Sequence, residues 1–458
     1  MVQTSVAGKA GSALDHRRYS EHVNPQWVRL LSLLEMNVRY KRCAGIQLFT
    51  TDGTRILDFL SGYCVHNLGH NHPAVIAALH EELARTGPAM LQSHVPELAG
   101  ELAAELCRLA GGRLNKVYFC SSGSEGIETV IKFARVHTRR TGLLCCQGAF
   151  HGLTCGALSL MEGSSWAEGF APLLPNVGTV PFGHLNELED KLRSRKFAAF
   201  VTEPIQSEAG VRVPPPDYLR EAEMLCRKYG TLFVLDEVQT GLYRTGPFLA
   251  AQHWGLDPDM VVLAKALSGG LVPSGAVLMS NEIYESVYTS LGRSIIHTST
   301  YSENGLAMRA GLATLKTLQE EDLGTRCDVM GRLLRYALTE ALSGYEMVAQ
   351  VRGLGLLNGI EFRRPERLKL RVPFESFRKV HEGMFGQIVV GKLFRERNIL
   401  TQMCGNNFMV LKAAPPLTVS EEQIEEFVAA VRCVMDDVHS SASFWLDALH
   451  LARQTMKT

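Results

Sequence analysis

The chain has 458 residues, of which 46% are hydrophobic and 21% are charged, and its 47 Lys and Arg residues balance 47 Asp and Glu residues. A chain of this length and apolar content can bury the cores of two domains. Its formal net charge of zero gives no electrostatic reason to expect nucleic acid or an anionic membrane as a partner.

The sequence shows neither of the patterns that mark export or membrane insertion. No apolar run approaches the roughly 20 residues of a membrane-spanning helix. The segment Met1–Arg18 is polar and lacks the apolar core of a signal peptide. The eleven cysteines are scattered without a Cys-x-x-Cys pair, which predicts reduced thiols. We therefore expect a cytoplasmic protein.

The first 60 residues predict a loose arm and a few small elements. Residues 1–20 have no clear pattern, whereas Asn24 to about Tyr40 carries a helical apolar face. Gln47–Phe49 and Arg55–Phe59, on either side of the turn signal Asp52-Gly53, predict a small hairpin.

From residue 70 to residue 280, short apolar runs alternate with amphipathic stretches. The candidate buried strands are Val117–Cys120, Leu143–Cys146, Ala198–Thr202, Leu232–Leu235, Val261–Ala264 and Ala276–Met279. Helical patterns such as Glu125–Thr138 and Pro216–Tyr229 lie between them. Strands that alternate with helices predict an α/β fold with a mostly parallel central sheet covered on both faces.

Beyond about Thr325 the pattern changes, which indicates a second, smaller α+β domain. Its predicted helices are Arg326–Leu342 and Val419–Val438, its predicted strands are Gly355–Phe362 and Met409–Lys412, and Ser440–Met456 is predicted as a docking helix. The predicted division is 1–60 for the arm and part of the small domain, 61–325 for the large domain, and 326–458 for the C-terminal small domain.

Two charged residues stand at the ends of apolar runs. Asp236 follows the predicted strand Leu232–Leu235, and ligands of open α/β sheets bind outside the carboxyl ends of strands. Lys265 follows Val261–Ala264, where burial lowers the pKa of an amine and makes it a nucleophile. A structural Asp and a lysine that extends to solvent remain alternatives for each residue taken alone.

A third signal is the run Ser121-Ser122-Gly123-Ser124-Glu125, which follows a strand and opens a helix. A helix N-terminus presents unpaired N–H groups and a positive dipole end to a phosphate. Ser124 could also be an ordinary helix cap.

The joint occurrence of these signals in one chain order indicates pyridoxal 5′-phosphate. The phosphate needs N–H donors, and the pyridine ring needs a stacking face such as Phe150. The ring nitrogen needs a carboxylate such as Asp236, so that the ring can act as an electron sink. The cofactor aldehyde needs a lysine, here Lys265, to form a Schiff base.

These residues belong to a longer series of segments by which the chain resembles the class III aminotransferases of fold-type I, the ornithine, acetylornithine and putrescine type. The segments are Leu57–Tyr63, Asn67–Pro73, Ser122–Glu125, Phe150–Gly152, Glu203–Gln206, Asp236–Gly241, Lys265 and His297–Thr300. The resemblance runs from about Asn24 to Asp437 and implies a large cofactor domain and a smaller α+β domain.

The resemblance also implies roles. The implied catalytic residues are Lys265 and Asp236, and the implied cofactor-binding residues are Ser122, Gly123, Ser124, Phe150, His151, Glu203, Asp236, Val238, Gln239, Lys265 and Thr300. Gly123 and Ser124 would bind the phosphate through N–H groups, and Gln239 would approach the ring hydroxyl. Thr300 would reach the cofactor phosphate of the partner subunit, which implies a homodimer.

The chain departs from the family at the substrate positions, for which the candidates are Tyr63, Leu153, Glu208 and Lys412. Ornithine- and acetylornithine-type members carry an arginine where this chain has Leu153, and leucine cannot bind a carboxylate. A second family arginine, which binds glutamate, is replaced by Lys412, a point charge rather than a fork. The sequence therefore predicts amino transfer between an amino acid, glutamate in the first place, and a terminal aldehyde or primary amine.

Three other interpretations remain open or are set aside. A racemase or aminomutase would keep the same cofactor residues, and an inactive binding protein would keep the scaffold. No metal site is expected, because the spacing of His66, His70 and His72 matches no recognised ligand pattern.

Overall fold

A computed structural model of the chain describes residues 16–88, 91, 93–161, 163–380, 382–440 and 444–445. The strands are β1 (Tyr40–Ala44), β2 (Gln47–Thr50), β3 (Arg55–Asp58), β4 (Lys116–Cys120), β5 (Gly142–Cys146), β6 (Val177–Val180), β7 (Phe197–Thr202), β8 (Leu232–Asp236), β9 (Met260–Leu263), β10 (Gly275–Met279), β11 (Val348–Leu354), β12 (Leu357–Phe362), β13 (Ile399–Leu400), β14 (Gln402–Cys404) and β15 (Asn407–Ala413).

The α-helices, in the same order, are α1 (Arg17–His22), α2 (Pro25–Leu33), α3 (Ser61–Cys64), α4 (Pro73–Ala84), α5 (Glu97–Ala110), α6 (Gly123–Thr138), α7 (Cys155–Ser159), α8 (Leu185–Leu192), α9 (Tyr218–Tyr229), α10 (Asn281–Val287), α11 (Gly305–Glu320), α12 (Leu323–Leu342), α13 (Leu368–Val380), α14 (Met384–Arg397) and α15 (Glu421–Ser440). Within the described residues, no helix is both long enough and apolar enough to cross a bilayer.

A seven-stranded sheet in the order β4-β10-β9-β8-β7-β5-β6 forms the centre of the molecule. The strands from β9 to β6 are parallel, and β10 runs antiparallel to both β9 and β4. Successive side chains of β8 point to opposite faces: Val234 packs in a core with Ile127 of α6, and Leu235 packs in a core with Leu219 of α9. The predicted mostly parallel sheet, with helices on both faces, is confirmed.

Two smaller sheets combine distant parts of the chain. One has the order β11-β12-β15-β14, and the other has the order β1-β2-β3-β13. In the second sheet β13 pairs in parallel with β3, so that Ile399 lies opposite Leu57. An N-terminal hairpin and a C-terminal strand therefore share one sheet. The domain limits at residues 60 and 325 stay predictions.

The structure corrects several predicted elements. The helix predicted from Asn24 to Tyr40 ends at Leu33, because the backbone of Glu35 turns to a left-handed φ of 53°. The predictions missed β6, whose side chains are mostly half-buried and give no continuous apolar run. Of the predicted tail helix, only Ser440, Phe444 and Trp445 are described: Ser440 ends α15, and the side chains of Phe444 and Trp445 are both buried.

One buried arginine joins the loops that surround the site. Arg244 is fully buried, and its Nη1 donates hydrogen bonds to the carbonyl oxygens of Pro415, at 2.5 Å, and Leu356, at 3.1 Å. Its Nη2 donates to Oδ1 of Asn67 at 2.5 Å. Each acceptor belongs to a different segment, so Arg244 holds three distant loops against the loop after β8.

Candidate active site

A cavity of about 470 Å³ opens at the carboxyl ends of the parallel strands. The sequence-predicted residues that line it are Ser122, Gly123, Ser124, Phe150, His151, Glu203, Asp236, Val238, Gln239 and Lys265. Segments more than 140 residues apart in sequence thus meet around one space, whose size falls within the range typical of small-ligand pockets.

The N-terminus of α6 forms one end of the cavity. Ser122 caps the helix, because its extended backbone lets its Oγ accept the N–H of Glu125 at 3.2 Å. The N–H groups of Gly123 and Ser124 bond to no acceptor in the described chain. A side chain at Gly123 would collide with Val238, since a Cβ there would lie 2.9 Å from Val238 Cγ2. This end therefore suits an anion that comes close to the backbone.

Asp236 and Lys265 enter the cavity at the ends of two neighbouring strands, Asp236 as the last residue of β8 and Lys265 two residues after β9. Asp236 ends β8 and pairs with Val262 of β9, three residues before Lys265. One oxygen of Asp236 accepts the N–H of Val238 at 3.1 Å, and the other lies 2.8 Å from Nδ1 of His151. Lys265 has a left-handed φ of 49°, a sparsely populated backbone geometry that functional sites often contain.

The Lys265 amine meets the electrostatic conditions for a nucleophile. Burial lowers its pKa, and the carboxylate of Asp236 only partly opposes this shift. Among the described residues, none accepts a hydrogen bond from this amine. A neutral amine has a free electron pair, so the shift favours attack on an aldehyde.

Behind Asp236 lies a second layer of buried titratable groups. Burial raises the pKa of Glu203 to about 7; the positive charge of His151 opposes the shift and Asp236 adds to it. Burial by itself would lower the pKa of His151, but the hydrogen bond to Asp236 raises it. Glu203 also accepts the N–H groups of Phe150 and Ser207, each at 3.1 Å. The His151 contact orients the Asp236 carboxylate, and Glu203 holds the backbone directly before His151.

The ring of Phe150 is held by residues that the sequence analysis missed. It packs edge-to-face on Trp166, with ring centres 5.6 Å apart. Trp166 Nε1 donates to Oδ1 of Asn406 at 2.7 Å, and Asn406 Nδ2 donates to the carbonyl oxygen of Gly148 at 2.9 Å. The turn between β14 and β15 thus holds both the Phe150 ring, through Trp166, and the segment after β5 to which Phe150 belongs.

The predicted Glu208–Lys412 pair lies beside the cavity rather than in its lining. Both side chains are buried, and Lys412 Nζ donates to Glu208 Oε1. The same oxygen accepts Nε2 of Gln239 at 3.0 Å, and the other oxygen accepts the N–H of Gly405 at 2.8 Å. Burial alone would raise the pKa of Glu208, but Lys412 and these donors hold it at about 2. Glu208 is therefore a fully ionised, three-fold hydrogen-bonded carboxylate.

Ser207, which the sequence analysis also missed as a contact, orients the Gln239 amide. Its Oγ donates to Gln239 Oε1 at 2.9 Å, which turns the amide nitrogen towards Glu208. The signal that could have identified it is its position directly before Glu208. Gln239 therefore links the cavity lining to the ion pair.

Tyr63 lies on the other side of the ion pair, in a left-handed turn. Ser61, Tyr63 and Cys64 have φ values of 46°, 60° and 67°, a conformation that non-glycine residues adopt only at a cost of roughly 1–2 kcal/mol each. Asp58 holds the turn by accepting the N–H of Ser61 at 2.8 Å. The Lys412 ammonium lies 5.2 Å from the centre of the Tyr63 ring.

Besides Tyr63, Glu208 and Lys412, two more predicted residues do not line the cavity of their own chain. Leu153 follows the lining residue Gly152, and its side chain is 54% exposed. Thr300 is exposed, in a segment anchored on α6 by His297, whose Nδ1 accepts from Lys132 Nζ at 2.7 Å.

The histidines of the turn after α3 interact with each other and with Asp58. The rings of His66 and His70 lie against each other at a tilt of 30° with their centres 3.8 Å apart, and His70 Nε2 lies 2.7 Å from Asp58 Oδ2. In the part of the chain that the structure describes, no group of three or more His, Cys, Asp or Glu residues is arranged to hold a metal.

Comparison with known proteins gives consistent matches over most of the chain. The profile of the family described as Aminotransferase class-III matches residues 32–435. Aminotransferase PigE of Serratia sp. (strain ATCC 39006) is 35% identical over 452 residues, which is 92% of this chain and 53% of that protein. The chain thus spans about half the length of this curated relative.

Solved structures with similar folds match this chain over nearly their whole length. The ornithine aminotransferase of Toxoplasma gondii has a TM-score of 0.78 at 29% identity, over 88% of this chain and 91% of that one. An (S)-enantioselective omega-transaminase of Thermomicrobium roseum has a TM-score of 0.80 at 29% identity, over 89% and 95%. The acetylornithine aminotransferase of Elizabethkingia anophelis has a TM-score of 0.70 at 28% identity, over 89% and 98%.

The buried ion pair generates a prediction about stability and pH. Replacing Lys412→Met leaves the Glu208 carboxylate buried without its cation, which destabilises the fold by about 3–5 kcal/mol at neutral pH. In the wild type, Glu208 has a pKa of about 2 instead of its ordinary 4.5, so its contribution to stability is present above pH 4.5 and is lost as the pH falls through 2. In Lys412→Met, burial raises the pKa of Glu208, and protonation at mildly acidic pH relieves the destabilisation.

Thermal unfolding midpoints measured from pH 8 to pH 4 check this prediction. The difference between wild type and Lys412→Met should be largest at pH 8 and should shrink towards pH 4. The matched control is the double variant Glu208→Gln/Lys412→Met, which should be more stable than Lys412→Met at pH 8 because no unpaired charge is buried. A difference that is the same at every pH would contradict the assignment.

Proposed function

The chain belongs to the class III aminotransferases, and from this membership we propose that it is a transaminase that holds pyridoxal 5′-phosphate on Lys265. The relatives described above are all aminotransferases or transaminases, and none of them is a racemase, a mutase or an inactive binding protein. The observation that carries the proposal is the meeting of Lys265, Asp236 and the N-terminus of α6 in one cavity.

The residues present fit pyridoxal 5′-phosphate. The unpaired N–H groups of Gly123 and Ser124 would bind its phosphate, and Phe150 and Val238, which both line the cavity, would pack on its ring. Asp236, held by His151, would pair with the ring nitrogen. When bound, the protonated ring supplies an electron sink for the bonds of the substrate carbon that carries nitrogen.

The chain itself supplies orientation and proton transfer. Lys265 Nζ, whose pKa is lowered by burial, would hold the cofactor through its aldehyde and would take and return the proton of the substrate carbon. Gln239 would approach the ring hydroxyl with the second N–H of the amide that already donates to Glu208. Transfer then proceeds in two half-reactions, with one substrate leaving before the other binds.

Lys265→Ala tests the choice of lysine. We expect the purified variant to lack the yellow absorbance of lysine-bound cofactor and to lose transamination by at least about 10²-fold to 10⁴-fold, because the proton carrier is gone. Absorbance spectra and half-reactions with an amino donor measure both effects. The control is Lys316→Ala, whose side chain is 71% exposed and should leave both properties unchanged. An active Lys265→Ala enzyme would mean that another lysine is used.

We propose further that one substrate is a terminal aldehyde or primary amine without a nearby carboxylate. Leu153 supplies no cation at the mouth of the site. The amino donor is proposed to be glutamate, whose carboxylate would bind Lys412 after Glu208 turns away. That movement breaks the Glu208 hydrogen bonds to Gln239 and Gly405, so it requires a substrate that replaces the charge of Glu208.

Amine screening of the wild type and of Leu153→Arg tests this substrate class. The wild type should turn over putrescine or an apolar primary amine better than ornithine. Leu153→Arg should raise kcat/KM for ornithine by about tenfold to a hundredfold, the effect of one charge-assisted hydrogen-bonded contact. Leu153→Gln, which adds polarity without charge, is the matched control. Robust ornithine turnover by the wild type, with putrescine inert, would exclude the proposed substrate class.

We also propose a homodimer in which Thr300 completes the partner's phosphate site. Thr300 does not line the cavity of its own chain, and its segment exposes apolar side chains: Leu291 is 94% exposed, Ile295 77% and Tyr301 65%. Apolar side chains gathered on one exposed segment are typical of a protein interface.

Mixed dimers of two inactive variants test where Thr300 acts. In a dimer of one Lys265→Ala subunit and one Thr300→Ala subunit, the remaining Lys265 receives the intact Thr300 of the other subunit. We therefore expect mixed dimers to have about half the activity of the wild type, and either variant alone to be impaired. If Thr300 acts within its own chain, mixing restores nothing. Sedimentation equilibrium checks that dimers form.

A cytoplasmic location is proposed on the state of the cysteines. All eleven lie in the described ranges and are free thiols, as expected in a reducing compartment. Cell fractionation with a compartment marker checks this location, and recovery in an oxidising compartment would contradict it.

A further inference from the structure

The cavity contains a buried hydroxyl group that no part of the proposed mechanism uses. Ser274 lines the cavity, its side chain is only 4% exposed, and its Oγ has no hydrogen-bond partner among the described residues. Buried hydroxyl groups are nearly always paired, because an unpaired one has lost its hydration without compensation. A ligand in the cavity is therefore the expected partner of Ser274.

The position of Ser274 is set by the pairing of β10 with β4. Gly275 pairs with Cys120, so the residues next to them, Ser274 and Ser121, lie at the same end of the ladder. The two strands approach closely here, since a Cβ on Gly275 would lie 3.0 Å from the carbonyl oxygen of Ser122. Ser122 caps α6, so Ser274 enters the cavity beside the N-terminus of that helix.

The chemistry of this end of the cavity selects the kind of ligand. The N–H groups of Gly123 and Ser124 are donors, and the helix dipole adds partial positive charge. The carboxylate of Glu125, which directly follows Ser124 in α6, already accepts the N–H of Ser121 at 2.6 Å. A hydroxyl donor among such groups suits an anion with several acceptor oxygens. Phosphate has three, arranged to face donors from more than one direction.

We propose that Ser274 donates a hydrogen bond from its Oγ to the phosphate of pyridoxal 5′-phosphate. The proposal rests on the proposed function, and it adds a phosphate ligand from β10 to the backbone donors of α6. The phosphate would then be held by residues of two elements, and Ser274 would act in binding rather than in proton transfer.

Comparison of pyridoxal 5′-phosphate with pyridoxal tests this contact directly, because pyridoxal lacks the phosphate. Apo-forms of the full chain and of Ser274→Ala are titrated with each compound, and binding is followed by absorbance. We expect Ser274→Ala to raise the Kd for pyridoxal 5′-phosphate by about tenfold to a hundredfold, the effect of one hydrogen bond to a charged group. The Kd for pyridoxal should stay unchanged.

Two further variants separate phosphate binding from structural effects. Ser280→Ala removes another buried hydroxyl at the opposite end of β10, where it caps α10, and should leave both Kd values unchanged. Ser274→Cys keeps the volume of the side chain with a weaker donor, and should weaken binding of pyridoxal 5′-phosphate alone.

The possible outcomes are distinct. A loss of affinity confined to the phosphorylated compound supports the proposal. Equal loss for both compounds, or no loss for either, overturns it. Failure of the wild type to bind either compound on Lys265 would instead overturn the proposed function. In the holoenzyme, the ³¹P resonance of the bound phosphate should shift in Ser274→Ala and not in Ser280→Ala.

Discussion

The register between the parallel strands β8 and β9 is the constraint on which the site depends. Asp236 at the end of β8 pairs with Val262, which places Lys265, two residues past the end of β9, at the same edge of the sheet. Both strands are buried on both faces. A shift of one residue would therefore move each side chain of a strand out of its own core and into the opposite core. Core packing thus determines that a carboxylate and an amine line one cavity.

The two lysines near that cavity are both buried but have pKa shifts of opposite direction, because one of them has a carboxylate partner. Burial lowers the pKa of Lys265, whose amine forms no ion pair within the described part of the chain. Lys412 is equally buried, but contact with Glu208 raises its pKa. One lysine is thereby prepared for attack on an aldehyde, and the other remains a cation. Because Glu208 also accepts hydrogen bonds from Gln239 and Gly405, any movement of this carboxylate would disturb both the cavity lining and the turn between β14 and β15.

Much of the fold could be predicted from local patterns, and the errors have local causes. The predicted strands of the central sheet agree with the structure within one residue at their ends, because continuous apolar runs mark strands buried on both faces. Val177–Val180 escaped prediction because its side chains are mostly half-buried. The helix predicted from Asn24 was too long, because an apolar face continues past the point where Glu35 turns the backbone.

The amino-acid sequence by itself determined the family and the cofactor and predicted the residues that would hold it, because an acid, a lysine and a glycine turn at strand ends are signals within a few consecutive residues. Tertiary structure alone decided the contacts that orient them. Trp166 meets Asn406 across 240 positions, and the hydroxyl of Ser207 meets Gln239 across 32. Only the pairing of β10 with β4 brings Ser274 beside the helix that begins at Gly123. Such contacts depend on packing between distant segments, which leaves no periodic pattern in either segment.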